Sequence, residues 1–197
     1  MAIELPELLV PDVSAWRRWL LEHHADAPGV WLVLHKKGGD VTALTYVDAV
    51  EEALCFGWID GQGKRRDDVS TLQRMTPRRA RSPWSALNVK RVARLEQEGR
   101  MHEAGRVAVR AAQADGRWER AYEGPANAEL PADLAAAIAA VPEAQAMWDV
   151  LTRTNRFTII YRTNSVKRPE TRARKIADCV EMLARHEAPT PQKRLPS

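Results

Sequence analysis

Two groups of side chains in this 197-residue sequence have the types and spacing needed to bind an anion. The larger is a basic run: between Val69 and Leu95 there are seven lysines and arginines and no acidic residue. Guanidinium groups bind phosphate or carboxylate through paired hydrogen bonds, and free N–H groups at a helix start also attract anions. Ser82 followed by Pro83 predicts such a helix start. The candidate ligand-binding residues in this run are Arg78, Arg79, Trp84, Ser85 and Asn88.

The second group lies earlier in the chain. Lys36 and Lys37 follow an apolar stretch, and Trp58 and Asp60 follow a predicted helix. Two lysines beside an indole and a carboxylate could bind an anionic small molecule, with Asp60 orienting a lysine. The alternative is the rim of a tryptophan-rich core, with solvated lysines and Asp60 as a turn residue. Because both groups adjoin the same predicted sheet, we expect them to form one groove.

The formal net charge of +4 conceals an uneven distribution. Residues 1–63 carry 10 acidic and 4 basic side chains, whereas residues 64–120 carry 15 basic and 7 acidic ones. The basic run could therefore be neutralised by the acidic first third, which would leave no free surface. Two further alternatives stay open: nucleic-acid binding through residues 74–94, and an enzyme that acts on a small anionic substrate through Asp60.

The composition, 45% hydrophobic and 28% charged, is that of a globular protein rather than a disordered one. No apolar stretch approaches the roughly 18 residues that a membrane helix needs. The acidic, proline-broken beginning of the sequence does not resemble an export signal, and two cysteines form no disulfide framework. We therefore expect a cytoplasmic protein.

No motif for a cofactor, a metal or a catalytic residue set is found. The segment around Gly61 and Gly63 lacks the third glycine of a dinucleotide-binding motif, and Arg65 stands where a phosphate loop has Ser or Thr. Neither the histidines nor the cysteines have zinc-ligand spacing. The sequence thus predicts no cofactor, no metal and no catalytic residues.

The elements that would position these residues suggest an α+β fold. We predict a small antiparallel or mixed three-strand sheet with two helices, followed by an all-helical C-terminal half. The predicted domains are residues 1–81, a helical region at 82–186 packed on them, and a flexible tail at 187–197. The predicted helices span 12–24, 45–57, 82–99, 102–115, 132–140, 143–152 and 169–185. The predicted strands span 30–34 and 58–61, and residues 64–68 and 70–75 could form the two arms of a hairpin. Residues 155–166 are ambiguous, because Phe157-Thr158-Ile159-Ile160-Tyr161 has strand propensity in a helical neighbourhood.

Residues 45–61, which include Cys55-Phe56-Gly57-Trp58-Ile59-Asp60-Gly61, resemble the hallmark segment of the YdeI/OmpD-associated, or bacteriocin-protection, family. The remaining blocks that resemble it are Thr76-Pro77-Arg78-Arg79, Trp84-Ser85 with Asn88, Gly99-Arg100-Met101 and Pro169-Glu170-Thr171-Arg172. The resemblance implies a small bacterial protein linked to tolerance of bacteriocins or other stress. It implies no reaction, cofactor or catalytic residue.

We therefore predict a cytoplasmic, non-enzymatic protein of the bacteriocin-protection or stress-tolerance type. It would bind an anionic small molecule or an acidic partner surface in a groove lined by Trp, Arg and Lys. The oligomeric state stays open.

Overall fold

A computed structural model describes residues 4–36, 39–166 and 168–196. Its contacts form two compact units, Met1–Ala121 and Tyr122–Ser197. The first unit contains β1 (Glu7–Leu8), α1 (Val13–His23), β2 (Val30–His35), α2 (Tyr46–Cys55), β3 (Trp58–Arg65), β4 (Ser70–Pro77), α3 (Ala86–Gln97) and α4 (Glu103–Ala114). The second contains α5 (Ala132–Ala139), α6 (Pro142–Val150), α7 (Arg153–Asn164) and α8 (Pro169–Ala184).

The mixed α+β class is confirmed, but the sheet has four strands rather than the predicted three. Their order is β1-β2-β4-β3, with β1 parallel to β2 and the other pairs antiparallel. The two-residue β1 is too short to show an alternating pattern in the sequence. The predicted strand 58–61 and the start of the segment 64–68 lie in one strand, β3, which continues through a register irregularity between Asp60 and Gly63.

One face of the sheet forms the core of the first unit. Val30, Leu32 and Leu34 alternate along β2 and pack with Met75 of β4 and with Trp16 of α1. Trp16 and Trp58 are fully enclosed, and their rings meet edge to face with centroids 6.3 Å apart. Large apolar rings of this kind bury much surface per residue, so the tryptophans anchor the helices on the sheet.

Helix α4 lies against the end of α2 through a glycine. An added Cβ at Gly105 would collide with the Cys55 carbonyl, so only a glycine permits this approach. The N–H of His102 also donates to that carbonyl oxygen, at 3.0 Å. Gly57, with φ 73°, follows α2 and turns the chain into β3.

The second unit has its own helical core, with Leu134, Ile138, Met147, Ile159 and Leu183 at its centre. The ambiguous residues 155–166 form most of α7, so their strand propensity does not prevail. The helix is favoured there because the buried residues Asn155, Ile159 and Thr163 follow one another at intervals of four.

The C-terminal segment of the second unit is tied to α7 by Asn155, whose side chain is fully buried. Its amide donates to the Thr190 carbonyl and to Gln192 Oε1, and its oxygen accepts from the Thr190 N–H at 3.0 Å. Part of the predicted tail at 187–197 is therefore hydrogen-bonded to the unit.

The predicted helices at 12–24, 102–115, 132–140, 143–152 and 169–185 are confirmed to within two residues at each end. Along the sequence, the boundary between the two units falls after Ala121. The sequence prediction places a domain boundary after Arg81, and the predicted domains stay a prediction. Along the described parts of the chain, no helix has the length and apolar character needed to cross a membrane.

Candidate functional site

The segment 78–85, which we call the arginine loop, joins β4 to α3. Its base is a stack of two side chains: the Arg78 guanidinium carbon lies 3.7 Å from the ring centroid of Trp84. Arg78 also donates from Nη1 to the Pro83 carbonyl, at 3.0 Å. Trp84 is buried and meets Trp118 edge to face, with centroids 4.9 Å apart. These contacts give the loop a fixed conformation.

The start of α3 lies three residues later than the sequence predicts. Ser85, not Ser82, caps the helix, because its side chain accepts from the Asn88 N–H at 3.2 Å. Ser82 instead accepts from the Arg79 N–H at 3.0 Å and closes a turn within the loop. The side chain of Asn88 accepts from Arg91, so both candidate residues at the helix start have structural partners.

Two arginines of the loop point into solvent. Arg79 and Arg81 are exposed, and neither has an ion pair with any residue that the structure describes. The indole N–H of Trp84 is buried, and within the described ranges it has no hydrogen-bond partner. A buried donor without a partner is uncommon in folded proteins. The arginine loop thus contains two exposed arginines and the buried N–H donor of Trp84, and it leads into the start of α3.

Two arginines later in the basic run, Arg91 and Arg94, are neutralised inside the first unit. Glu51 and Glu52 on α2 are 8% and 3% exposed, although both are charged. Arg94 lies 2.6 Å and Arg91 3.8 Å from the Glu51 carboxylate. The hydrogen bonds that Arg94 donates to Glu51, and then to Glu98, raise the pKa of Arg94. Neutralisation by the acidic first third therefore applies to these two arginines.

Glu52 has two arginine partners of its own, which are far apart in the sequence. Arg17 and Arg100 each lie 2.6 Å from one of its oxygens, and Arg17 donates to the Arg100 carbonyl at 2.9 Å. Paired charges of this kind are the usual way in which a protein tolerates a buried carboxylate. These partners were missed from the sequence, because only the tertiary fold brings them to α2.

Lys36 contacts the turn of the β3–β4 hairpin and not the arginine loop. Its Nζ donates to the carbonyls of Asp67 and Asp68, which form the hairpin turn. Lys36 thus lies at the start of β4 and Arg78 follows its end. Because β4 is eight residues long, about 25 Å of extended chain separates them. The structure does not bring these two candidates together. Lys37 lies outside the described residues.

Trp58 and Asp60 also have structural surroundings. Trp58 belongs to the core, and its indole N–H donates to the His24 carbonyl at 3.1 Å. Asp60 accepts from the Tyr46 hydroxyl at 2.7 Å, and no lysine in the described part of the chain forms an ion pair with it. Tyr46 was not predicted as a site residue, although Thr45-Tyr46 is part of the segment that resembles the family.

A cluster of rings lies beside the Glu52 network. The ring centroid of His102 is 4.8 Å from that of His24 and 4.9 Å from that of Phe56. His102 caps α4 by accepting the Ala104 N–H at Nδ1. Partial burial, followed by the charge of His24, lowers the pKa of His102. Among the described residues, no three His, Cys, Asp or Glu side chains are grouped to hold a metal ion.

Residues 8–108 match the family described as a domain of unknown function, DUF8412, and the match covers more than half of the 197 residues. The chain belongs to this family. The DUF8412 domain includes the arginine loop and the buried glutamate pair. Four of the five blocks that carry the sequence resemblance also lie within it.

A second match covers residues 127–186, to the family described as bacteriocin-protection, YdeI or OmpD-associated. The family resemblance stated from the sequence is therefore confirmed over these residues, which include the Pro169–Arg172 block. The boundary between the two compact units, after Ala121, lies between the two matched ranges. Comparison with curated proteins and with solved structures found no match to the chain.

Proposed function

We propose that this chain is a cytoplasmic, non-catalytic protein of the bacteriocin-protection type that binds a small phosphate-bearing molecule at the arginine loop. The proposal rests on one observation. Arg79 and Arg81 are exposed and have no ion pair within the described residues, whereas Arg91 and Arg94 of the same basic run are held by Glu51.

A phosphate group suits the loop better than a neutral ligand does. Guanidinium groups form charge-assisted hydrogen bonds with phosphate oxygens, and each such bond contributes roughly 1.5–3 kcal/mol. The N–H groups at the start of the 12-residue helix α3 add a favourable dipole. The stack of Arg78 on Trp84 keeps the loop in place, so little ordering entropy is lost when a ligand binds.

Isothermal titration of the full chain with inorganic phosphate and pyrophosphate tests the proposal. We expect pyrophosphate to bind and the Arg79→Ala/Arg81→Ala variant to bind at least tenfold more weakly. The matched control is Arg110→Ala/Arg185→Ala, which removes two exposed arginines that already pair with glutamates. Equal affinity in the loop variant and the control, or no binding to the wild-type chain, would overturn the proposal.

A survival assay connects binding with protection. A bacteriocin-sensitive strain that expresses the wild-type chain should survive better than one that expresses the loop variant at the same level. If both strains survive equally, the loop has no part in protection even where it binds phosphate.

Nucleic acid remains the alternative partner for residues 74–94. The pairing of Arg91 and Arg94 with Glu51 reduces the cations that this run offers to a duplex. Duplex DNA retained at about 50 mM salt, and released in the loop variant, would favour this alternative over a small ligand.

A further inference from the structure

The sheet of the first unit has a second face, opposite the face that forms the core. Trp31 and Val33 alternate with the core residues of β2, so their side chains lie on this second sheet face. In β4, Arg74 lies directly opposite Trp31, and Leu72 lies opposite Val33. Paired residues of neighbouring strands project to the same side of a sheet. Trp31 is half-buried and packs in neither of the apolar cores that the described residues form.

The edge strand β3 adds a cation to the second sheet face. Lys64 lies opposite Leu72 and therefore on the same side as Trp31. Its side chain reaches across β4, and its Nζ lies over the Trp31 indole, 4.1 Å from the ring centroid. Lys64 is exposed and has a flexible four-carbon stem, so its ammonium can leave the ring when a ligand arrives.

Arg74 provides a second cation on this face. An added Cβ at Gly61 would lie 3.6 Å from both Cβ and Cδ of Arg74, so the arginine stem extends over β3 at this glycine. Neither Arg74 nor Lys64 forms an ion pair or a side-chain hydrogen bond with any residue that the structure describes. Two neighbouring cations without a carboxylate between them repel each other, and a bound anion would relieve this repulsion.

The carboxylates nearest to these cations in the sheet register are engaged elsewhere. Glu7 of β1 lies beside Trp31, but its carboxylate accepts from Arg66 Nε at 2.9 Å. Asp60 of β3 lies opposite Met75 of the core and thus projects to the other side of the sheet. The second sheet face therefore has two cations for which the described residues supply no counter-ion.

We propose that the second sheet face binds a nucleoside monophosphate through Trp31, Lys64 and Arg74. The base would stack on the Trp31 indole in the place of the Lys64 ammonium, and the phosphate would accept hydrogen bonds from that ammonium and from the Arg74 guanidinium. One ring and two cations suit a single nucleotide, whereas a nucleic-acid strand needs a ring for each of several bases. An inorganic anion would leave the indole unused. The proposal is independent of phosphate binding at the arginine loop.

Isothermal titration of the full chain with adenosine 5′-monophosphate, at about 50 mM salt, tests the proposal. The titration is made in the Arg79→Ala/Arg81→Ala variant, in which the arginine loop cannot add a second phosphate site. The two proposals are thereby tested separately. We expect one nucleotide to bind per chain, and the further change Lys64→Ala/Arg74→Ala should weaken binding at least tenfold.

The matched control adds Arg110→Ala/Arg185→Ala to the same loop variant. It removes the same number of positive charges, but from arginines that already pair with glutamates. We expect this control to bind the nucleotide with unchanged affinity, because only local cations reach a bound phosphate without strong screening by salt.

Two substitutions at Trp31 measure the contribution of stacking. Trp31→Phe keeps an aromatic ring and should retain most of the affinity, whereas Trp31→Leu should weaken binding about tenfold. Ribose 5-phosphate has the phosphate but no base, so it should bind about tenfold more weakly than the nucleotide, and Trp31→Leu should not weaken it further. Because Trp31 lies outside both apolar cores, these variants should fold, which far-ultraviolet circular dichroism checks.

Any one of four results would contradict the proposal. The nucleotide does not bind the loop variant, or it binds equally well after Lys64→Ala/Arg74→Ala. Ribose 5-phosphate binds as tightly as the nucleotide, which would leave only an attraction for phosphate. Trp31→Phe and Trp31→Leu weaken binding equally, which would show that no base stacks at this position.

Discussion

The guanidinium of Arg94 lies 2.6 Å from the carboxylate of Glu51, which is itself almost completely buried. One end of the ion pair is on α3 and the other on α2, so the pair connects two helices that are distant in sequence. A cation that the sequence presents as available for a ligand is thus already neutralised. Arg79 and Arg81, which are exposed and form no ion pair with described residues, lie before α3, in the arginine loop.

Glu52→Gln should lower the free energy of unfolding of the first unit by about 2 kcal/mol. The variant loses two charge-assisted hydrogen bonds, from Arg17 and Arg100, and leaves both guanidinium groups beside a neutral amide. Urea denaturation followed by circular dichroism measures the change. Glu96→Gln is the matched control, because its carboxylate pairs with Arg106 at the surface. An equal loss of stability in both variants would contradict the role given to the buried pair.

The stability of the first unit should decrease as the pH falls below about 6.5. The pKa of His102 is lowered from its ordinary value of 6.5 in the folded chain, so the unfolded chain binds a proton first. The stabilisation is complete above that value and is lost as the pH approaches the lowered pKa. Protonated Nδ1 also cannot accept the Ala104 N–H that caps α4.

The corresponding measurement is the melting temperature between about pH 5 and 8. In His102→Asn, asparagine retains a capping oxygen but does not titrate, so the pH dependence should be smaller. An unchanged profile in His102→Asn would assign the effect to another group.

Cys55 should be unreactive in the folded chain. Burial, and then the charge of Glu52, raise the pKa of its thiol to about 11, so almost no thiolate exists near neutral pH. In a Cys179→Ser background, we expect no reaction with Ellman's reagent at about pH 8 until denaturant is added. One equivalent should then react. Rapid reaction without denaturant would show that the α2–α4 contact opens.

Asn155→Ala should destabilise the second unit by about 2 kcal/mol and release the C-terminal segment. The substitution removes the hydrogen bonds to Thr190 and Gln192 from a buried position. Hydrogen exchange should become faster at residues 188–194, whereas the control Gln145→Ala, which removes a partly buried side chain bonded to Asp149, should leave it unchanged. Rapid exchange of this segment in the wild-type chain would instead support the flexible tail predicted from the sequence.

Much of the fold follows from local patterns. Asp12 and Thr45, the first residues of the helices predicted at 12–24 and 45–57, cap α1 and α2, because each side chain needs only a backbone N–H three residues away. The short β1 gives no such signal, since its pairing partner in β2 is remote in sequence. In residues 155–166 the local signal is present but misleading, because packing with the surrounding helices outweighs their preference for a strand.

The candidate site was less predictable, because its electrostatics depend on tertiary contacts. A pair of glutamates in an amphipathic helix is typical of a solvated face, yet Glu51 and Glu52 are buried under arginines from three other segments. Trp58 could be assigned to a core or to a groove from its sequence alone. The described structure assigns it to the core, and it separates Lys36 from Arg78 along β4.

Gly105 allows the backbone of α4 to lie directly against the end of α2. Any chain with a side chain at this position must hold its fourth helix farther out, and the His102 cap and the neighbouring ring cluster would move with it. A glycine at the equivalent position of a related sequence therefore indicates the same close packing of α4 on the end of α2. It allows relatives that share the packing around Cys55 to be distinguished by inspection of their sequences alone.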